Sequence, residues 1–279
     1  MNMLYEVLEK IVPFQWISYE FMKNALIAVL IITPLFAILG TMIVNQKMAF
    51  FSEALGHSAY AGIGIGVVFG VVSTNTSMLI FAVLFALALN QIKRKNTVST
   101  DTIISVFSSL GTALGLVILS SGGNFAKYSN LLVGDILSIT GKEIGLLAIV
   151  FCLTILFWVF VFNQLHAISI NSSLAKSKGI KVERIEDTFA VLIAIIIMFS
   201  IRWVGILIIN ALLILPAASS RNLSVNMREY HLYSVMISVF SGILGLIISY
   251  YSNTATGPTI VLVASVIFFF TLLVKPFIK

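Results

Sequence analysis

The chain is poor in charge, in cysteine and in proline. Acidic and basic side chains together make up 10% of its 279 residues, with five prolines and one cysteine. A soluble domain carries about 25% charged residues, so a water-facing surface of ordinary composition is excluded. The lone Cys152 rules out a disulfide framework and any multi-cysteine metal site. There is no Gly-x-x-x-x-Gly-Lys-Ser/Thr phosphate loop, so no nucleotide is bound by that device. There is no His-Glu-x-x-His, and the three histidines, His57, His166 and His231, lie far apart in sequence, which argues against a zinc protease. A Gly-x-Ser-x-Gly elbow is also missing. Within the apolar runs no nucleophile–base or paired-carboxylate set occurs at helical spacing, so an intramembrane enzyme is only a minor alternative. No linker or low-complexity tract divides the chain, and a single transmembrane domain over 1–279 is expected.

What is present is apolar. Hydrophobic residues make up 59% of the chain, in long runs rather than periodic stripes, and such runs need lipid around them. They fall at 24–45, 49–72, 77–92, 101–121, 143–163, 188–218, 232–252 and 258–275. A helix needs about 20 residues to cross a bilayer. The run 188–218 is too long for one span, and basic segments flank it on both sides, so it is expected to cross twice with an Arg202–Trp203 hairpin at the outer surface. The expectation is an all-α polytopic protein of eight or nine spans, with the C-terminus inside. In that orientation twelve basic residues lie inside and five outside, as the positive-inside rule requires. The same rule accounts for the net charge of +6 without any nucleic-acid partner. Segment 1–23 lacks the basic-then-apolar order of a cleaved signal. It is expected to be extracellular or interfacial, as an amphipathic helix or a segment tucked between spans.

The second span opens Phe50-Phe51-Ser52-Glu53-Ala54-Leu55-Gly56-His57-Ser58. Glu53 and His57 are four apart and share a helix face. At about 1.5 Å per residue from Met48, His57 lies roughly 13 Å deep, where ionisable groups are costly and usually functional. Carboxylate oxygen and imidazole nitrogen together suit zinc, manganese or iron(II); the bland reading is a hydrogen-bonded pair that clamps helices. Gly62, Gly66 and Gly70 form a small-residue ridge opposite, suited to close helix packing. In the fourth span Asp101, Ser105, Ser108 and Thr112 form a polar stripe, either lining a path or bonding between helices. Asn210 and Pro216 interrupt the seventh span and suggest a bend. Asp135 falls in an outer loop, to meet a donor protein or to be solvated. The widest basic loop, 171–187, reads as a short helix capped by Ser172 or Ser173 and ended by Gly179, either a lever for a soluble partner or a plain connector.

Several stretches resemble the metal-uptake permeases of ATP-binding-cassette importers. Ser52-Glu53-Ala54-Leu55-Gly56-His57-Ser58 is similar to that family's Ser-Asp-Ala-Leu-Ser-His-Ala. Gly134-Asp135-Ile136-Leu137, Val204-Gly205-Ile206-Leu207, Ala211-Leu212-Leu213-Ile214-Leu215-Pro216-Ala217-Ala218 and Gly257-Pro258-Thr259-Ile260-Val261-Leu262-Val263-Ala264 also have counterparts there. The resemblance runs from about residue 24 to the C-terminus. It implies a multi-pass protein of a prokaryotic cytoplasmic membrane, working as two copies with two cytoplasmic ATPase subunits and an extracellular metal-binding protein. No cofactor would be held permanently. The cargo would be a divalent metal, zinc first, manganese next and iron third, and ATP would sit on the partner subunit. Glu53 and His57 would contact the metal, and the loop around Ala175 and Gly179 would dock the ATPase. Glu53 stands where the family has Asp, and Asn253 where it often has an acidic residue. The alternative within transport is a stand-alone ion-coupled carrier, for which Glu53 is nearly the only intramembrane carboxylate.

Overall fold

The apolar runs become helices, because a helix satisfies its backbone N–H and C=O groups within the segment itself. The computed structural model describes Tyr5 and residues 15–70, 73–95, 99–121, 131 and 134–278. The helices are α1 (Glu20–Asn45), α2 (Ala49–Val68), α3 (Thr74–Lys95), α4 (Thr100–Ser121), α5 (Gly141–Ile170), α6 (Ser172–Ser177), α7 (Val182–Val204), α8 (Ile206–Leu223), α9 (Met227–Ser252) and α10 (Thr256–Ile278). No strand occurs among the described residues. Eight of these helices are long and apolar enough to span a membrane. The other long one, α2, carries Glu53 and His57.

The helices form two compact units. One comprises residues 1–41, 133–155 and 203–279; the other comprises 42–132 and 156–202. In the first unit small and hydroxylated side chains let α9 approach α1. The Ser238 hydroxyl donates to the Thr33 carbonyl at 2.9 Å and Ser234 to that of Ala37 at 3.3 Å. A Cβ on Gly242 would stand 2.6 Å from Val29. Small interfacial residues and interhelical hydrogen bonds are how helices associate in lipid, where burial of apolar area drives little. In the second unit α2 packs against α3 and α4. A Cβ on Gly111 would lie 3.3 Å from the Ser58 Cα, and one on Gly115 would lie 2.5 Å from the Ala61 nitrogen. Gly62 faces Met78 and Phe81 of α3, and the Ser77 hydroxyl donates to its carbonyl.

Several expectations change. The long run 188–218 does break into two helices, but the break is at Gly205, whose φ of +84° favours glycine. Arg202 and Trp203 instead belong to the last turn of α7, with Trp203 buried. Helix α8 continues through Pro216. The glycine ridge ends early: α2 stops at Val68, and Gly70, at φ +65°, lies beyond it with open space around it. Gly62 and Gly66 are buried within the helix. Asn253 is the left-handed C-cap of α9, at φ +50°, a conformation that asparagine tolerates. Most of segment 1–23 lies outside the described residues. Of the rest, Trp16 and Ile17 are buried against Met22, Ala25, Leu26 and Leu246, and the Tyr5 hydroxyl donates to Asn24.

Candidate functional site

Helix α2 is almost wholly enclosed. From Phe51 to Gly64 every residue except Glu53 and His57 is buried. The side chain of His57 is 25% exposed and that of Glu53 47%. The sequence makes this face by leaving small residues (Ser52, Ala54, Gly56, Ser58) on the packed sides, so the helix can sink into its unit while one carboxylate and one imidazole stay open. Glu53 Oε1 and His57 Nε2 are 3.9 Å apart. That is beyond hydrogen-bond reach and at the edge of ion-pair range when the imidazole is protonated. Zinc bonds to carboxylate oxygen and imidazole nitrogen measure about 2.0–2.2 Å, so one ion fits between the two atoms. No cluster of three or more His, Cys, Asp or Glu suited to a metal occurs among the described residues.

Helix α4 is laid directly on α2 by Gly111 and Gly115, a Gly-x-x-x-Gly pair whose signal is plain in the sequence and which the polar-stripe reading of this span passed over. On the same helix Asp101 and Ser105 are exposed, while Ser108 and Thr112 are half-buried. The Thr112 hydroxyl donates to the Ser108 carbonyl at 2.8 Å, within its own helix. In the other unit the Asn210 Oδ1 is buried with no hydrogen-bond partner among the described residues, as is the Trp203 Nε1.

Asp135 caps a short turn, accepting from the Leu137 amide at 3.1 Å. The preceding Gly134 has φ +68° and lies against the backbone of Val204 and Gly205, leaving no room for a Cβ. The loop and the helix break are thus fitted to each other, which gives a physical reason for glycine at both places. A cavity of about 140 Å³ adjoins this contact, lined by Thr33, Asp135, Trp203, Leu212 and Thr256 among others.

The 171–187 loop is built as a rigid piece. Its helix α6 is capped by Asn171, whose Oδ1 accepts from the Leu174 amide at 3.0 Å, rather than by Ser172 or Ser173. Asn171 is the extended residue just before the first turn, the position whose side chain can accept from the amide three residues on, whereas Ser172 and Ser173 already lie within the helix. At the other end the Gly179 amide donates to the Lys176 carbonyl and the Ile180 amide to that of Ala175, with Gly179 at φ +81°. These two bonds form a Schellman cap. Ala175 is buried against Ile168 and Val182, with Ile180 beside them. Lys176 pairs with Glu183 at 3.1 Å.

One polar network escaped the sequence reading. Arg94, counted there only as an orienting charge, meets the start of α7. Its Nη1 and Nη2 donate to the two carboxylate oxygens of Asp187 at 3.0 and 2.8 Å. Nη2 also reaches the Glu183 carbonyl at 2.8 Å and Glu186 at 3.4 Å. One turn earlier, Asn90 donates to Asp187 at 3.1 Å and to the Glu186 carbonyl at 3.4 Å.

Comparison with known proteins places this architecture. The chain is 32% identical over 245 residues to the high-affinity zinc uptake system membrane protein ZnuB of Buchnera aphidicola subsp. Baizongia pistaciae, covering 87% of this chain and 93% of that one. It is 24% identical to the manganese transport system membrane protein MntC of Listeria monocytogenes, covering 93% and 92%. Among solved structures, PsaBC from Streptococcus pneumoniae in complex with Fab superposes with a TM-score of 0.80 at 24% identity, covering 97% of this chain and 95% of that one. Residues 18–275 match the ABC 3 transport family, and the chain belongs to that family.

Proposed function

We propose that this protein is the membrane-spanning subunit of an ATP-driven importer that carries a divalent metal ion inward, zinc in the first place and manganese in the second. The names of the relatives above support the cargo class. The observation that carries the reading is the open Glu53–His57 face on an otherwise enclosed helix, with its two donor atoms one ion's width apart. Two ligands hold a metal loosely, which suits a passage that must release what it binds; a closed four-ligand cage would not. A second copy of the chain would supply another carboxylate and imidazole across a shared axis. ATP would be hydrolysed by separate cytoplasmic subunits docked on Ala175 to Gly179, and an extracellular binding protein would deliver the metal. The C-terminus would be cytoplasmic and the lipid-facing helices would keep the protein in the cytoplasmic membrane. Radiolabelled zinc or manganese uptake into vesicles containing the whole transporter tests this. Glu53→Gln and His57→Ala are expected to abolish uptake with normal expression, and wild-type rates in both would remove the site.

A further inference from the structure

We propose that Arg94, assisted by Asn90, is a positioning residue that makes the helix bearing Glu53 and His57 follow the movements of α6, and so ties ATP hydrolysis to transport. The inference rests on the reading of α6 as the ATPase-docking element. Orientation in the membrane asks only for cations at the end of α3, and Lys93 and Lys95 already supply them. It does not ask for a guanidinium gripping one carboxylate with both nitrogens, nor for an asparagine one turn earlier on the same carboxylate. A bidentate arginine–carboxylate pair fixes angle as well as distance, so the end of α3 and the start of α7 are held in one orientation.

On one side of this clamp α7 is continuous with a stiff piece: Ala175 of α6 is buried against Ile168 and Val182, and Lys176 is paired with Glu183. On the other side α3 is locked to α2, with the Ser77 hydroxyl on the Gly62 carbonyl and Phe81 filling the space that a side chain at Gly62 would need. All these contacts lie in one compact unit. A push on α6 therefore reaches α2 through packed backbone, and the Arg94–Asp187 pair is the polar joint in that train. An isolated exposed pair contributes little. Here five hydrogen bonds converge on the side chains of Arg94 and Asp187, which are 25% and 29% exposed, and a sixth joins Asn90 to the Glu186 carbonyl.

The test is the number of ATP molecules hydrolysed per zinc or manganese ion moved, in vesicles holding the permease, its ATPase and the binding protein. Arg94→Gln and Arg94→Lys, the latter keeping the charge but losing the fork, are expected to raise that number about two- to thirtyfold, the span of measured coupling effects. The ATPase should still co-purify with both. Asp187→Asn should act likewise, and the Arg94→Gln/Asp187→Asn double variant should be no worse than either single one. An unchanged ratio in Arg94→Gln and Arg94→Lys overturns the inference. So does loss of the ATPase from them, since Arg94 would then serve docking or folding. The docking reading stands or falls separately, on whether Gly179→Arg releases the ATPase.

Discussion

Gly115 of α4 lies backbone to backbone against Ala61 of α2, so that a Cβ on the glycine would stand 2.5 Å from the Ala61 amide nitrogen. Nothing at that contact is a flexible side-chain end, and backbone cannot step aside cheaply. Gly115→Ala should therefore destabilise the fold by about 1–3 kcal/mol, the usual cost of overpacking. Gly111→Ala should cost less, because its Cβ would clear the Ser58 Cα by 3.3 Å. Unfolding midpoints in detergent check the order: Gly111→Ala should lie between the wild type and Gly115→Ala.

That contact shows what the sequence made legible and what it did not. Runs of apolar residues located the spans, with ends off by as much as seven residues, because length and composition alone decide whether a helix crosses lipid. The face shared by Glu53 and His57 followed from their spacing of four. Which glycines pack was harder, since small residues recur at helical spacing on more than one side of α2. Gly62 and Gly66 are buried, but Gly70 lies past the helix end, and the closest glycine approach to α2 comes from Gly115 on another span. The break near 203 was placed two residues early because Arg202 and Trp203 look like interfacial residues; the left-handed backbone at Gly205 decides it. Long-range polar bonds such as Arg94–Asp187, 93 positions apart in sequence, leave no local pattern to read.

Gly179 carries the turn after α6 in a left-handed conformation, at φ +81°, with nothing within 4 Å of where a Cβ would be. An arginine there would point outward through this open space, into whatever docks on α6. Its intrinsic cost is about 1–2 kcal/mol for a left-handed residue other than glycine. Gly179→Arg should therefore express and assemble yet lose ATPase binding and transport, while Gly179→Asn, which tolerates the conformation, should keep both. Co-purification of the ATPase with each variant is the measurement, and retention by Gly179→Arg would count against docking here.

The proposed placement of the α6 loop on the cytoplasmic side predicts a labelling pattern. Lys178 is exposed at the end of α6, so a Lys178→Cys thiol is reachable from its own side of the membrane. The native Cys152 is also exposed and must first be replaced, as Cys152→Ser. In that background an impermeant thiol reagent should leave Lys178→Cys untouched in intact cells and label it in inverted vesicles. Labelling of intact cells would reverse the orientation.

Glu53 offers a sharper probe of the passage than its removal does. Aspartate keeps the charge but withdraws the carboxylate by one methylene. Its oxygen would then lie further from the His57 Nε2 than the present 3.9 Å, unless the helix turns to compensate. The helix has little freedom to turn, because its other residues from Phe51 to Gly64 are buried. A wider gap disfavours zinc, whose bonds to oxygen and nitrogen are short and whose geometry is tight. It disfavours manganese less, since manganese accepts oxygen and water ligands in octahedral sets. Glu53→Asp should therefore retain transport while shifting the ratio of zinc to manganese uptake toward manganese, by about tenfold if the lost fit is worth about 1.4 kcal/mol. Competition uptake of the two metals, measured in the same vesicles, reads that ratio directly. An unchanged ratio at full activity would mean that the cargo does not bridge Glu53 and His57.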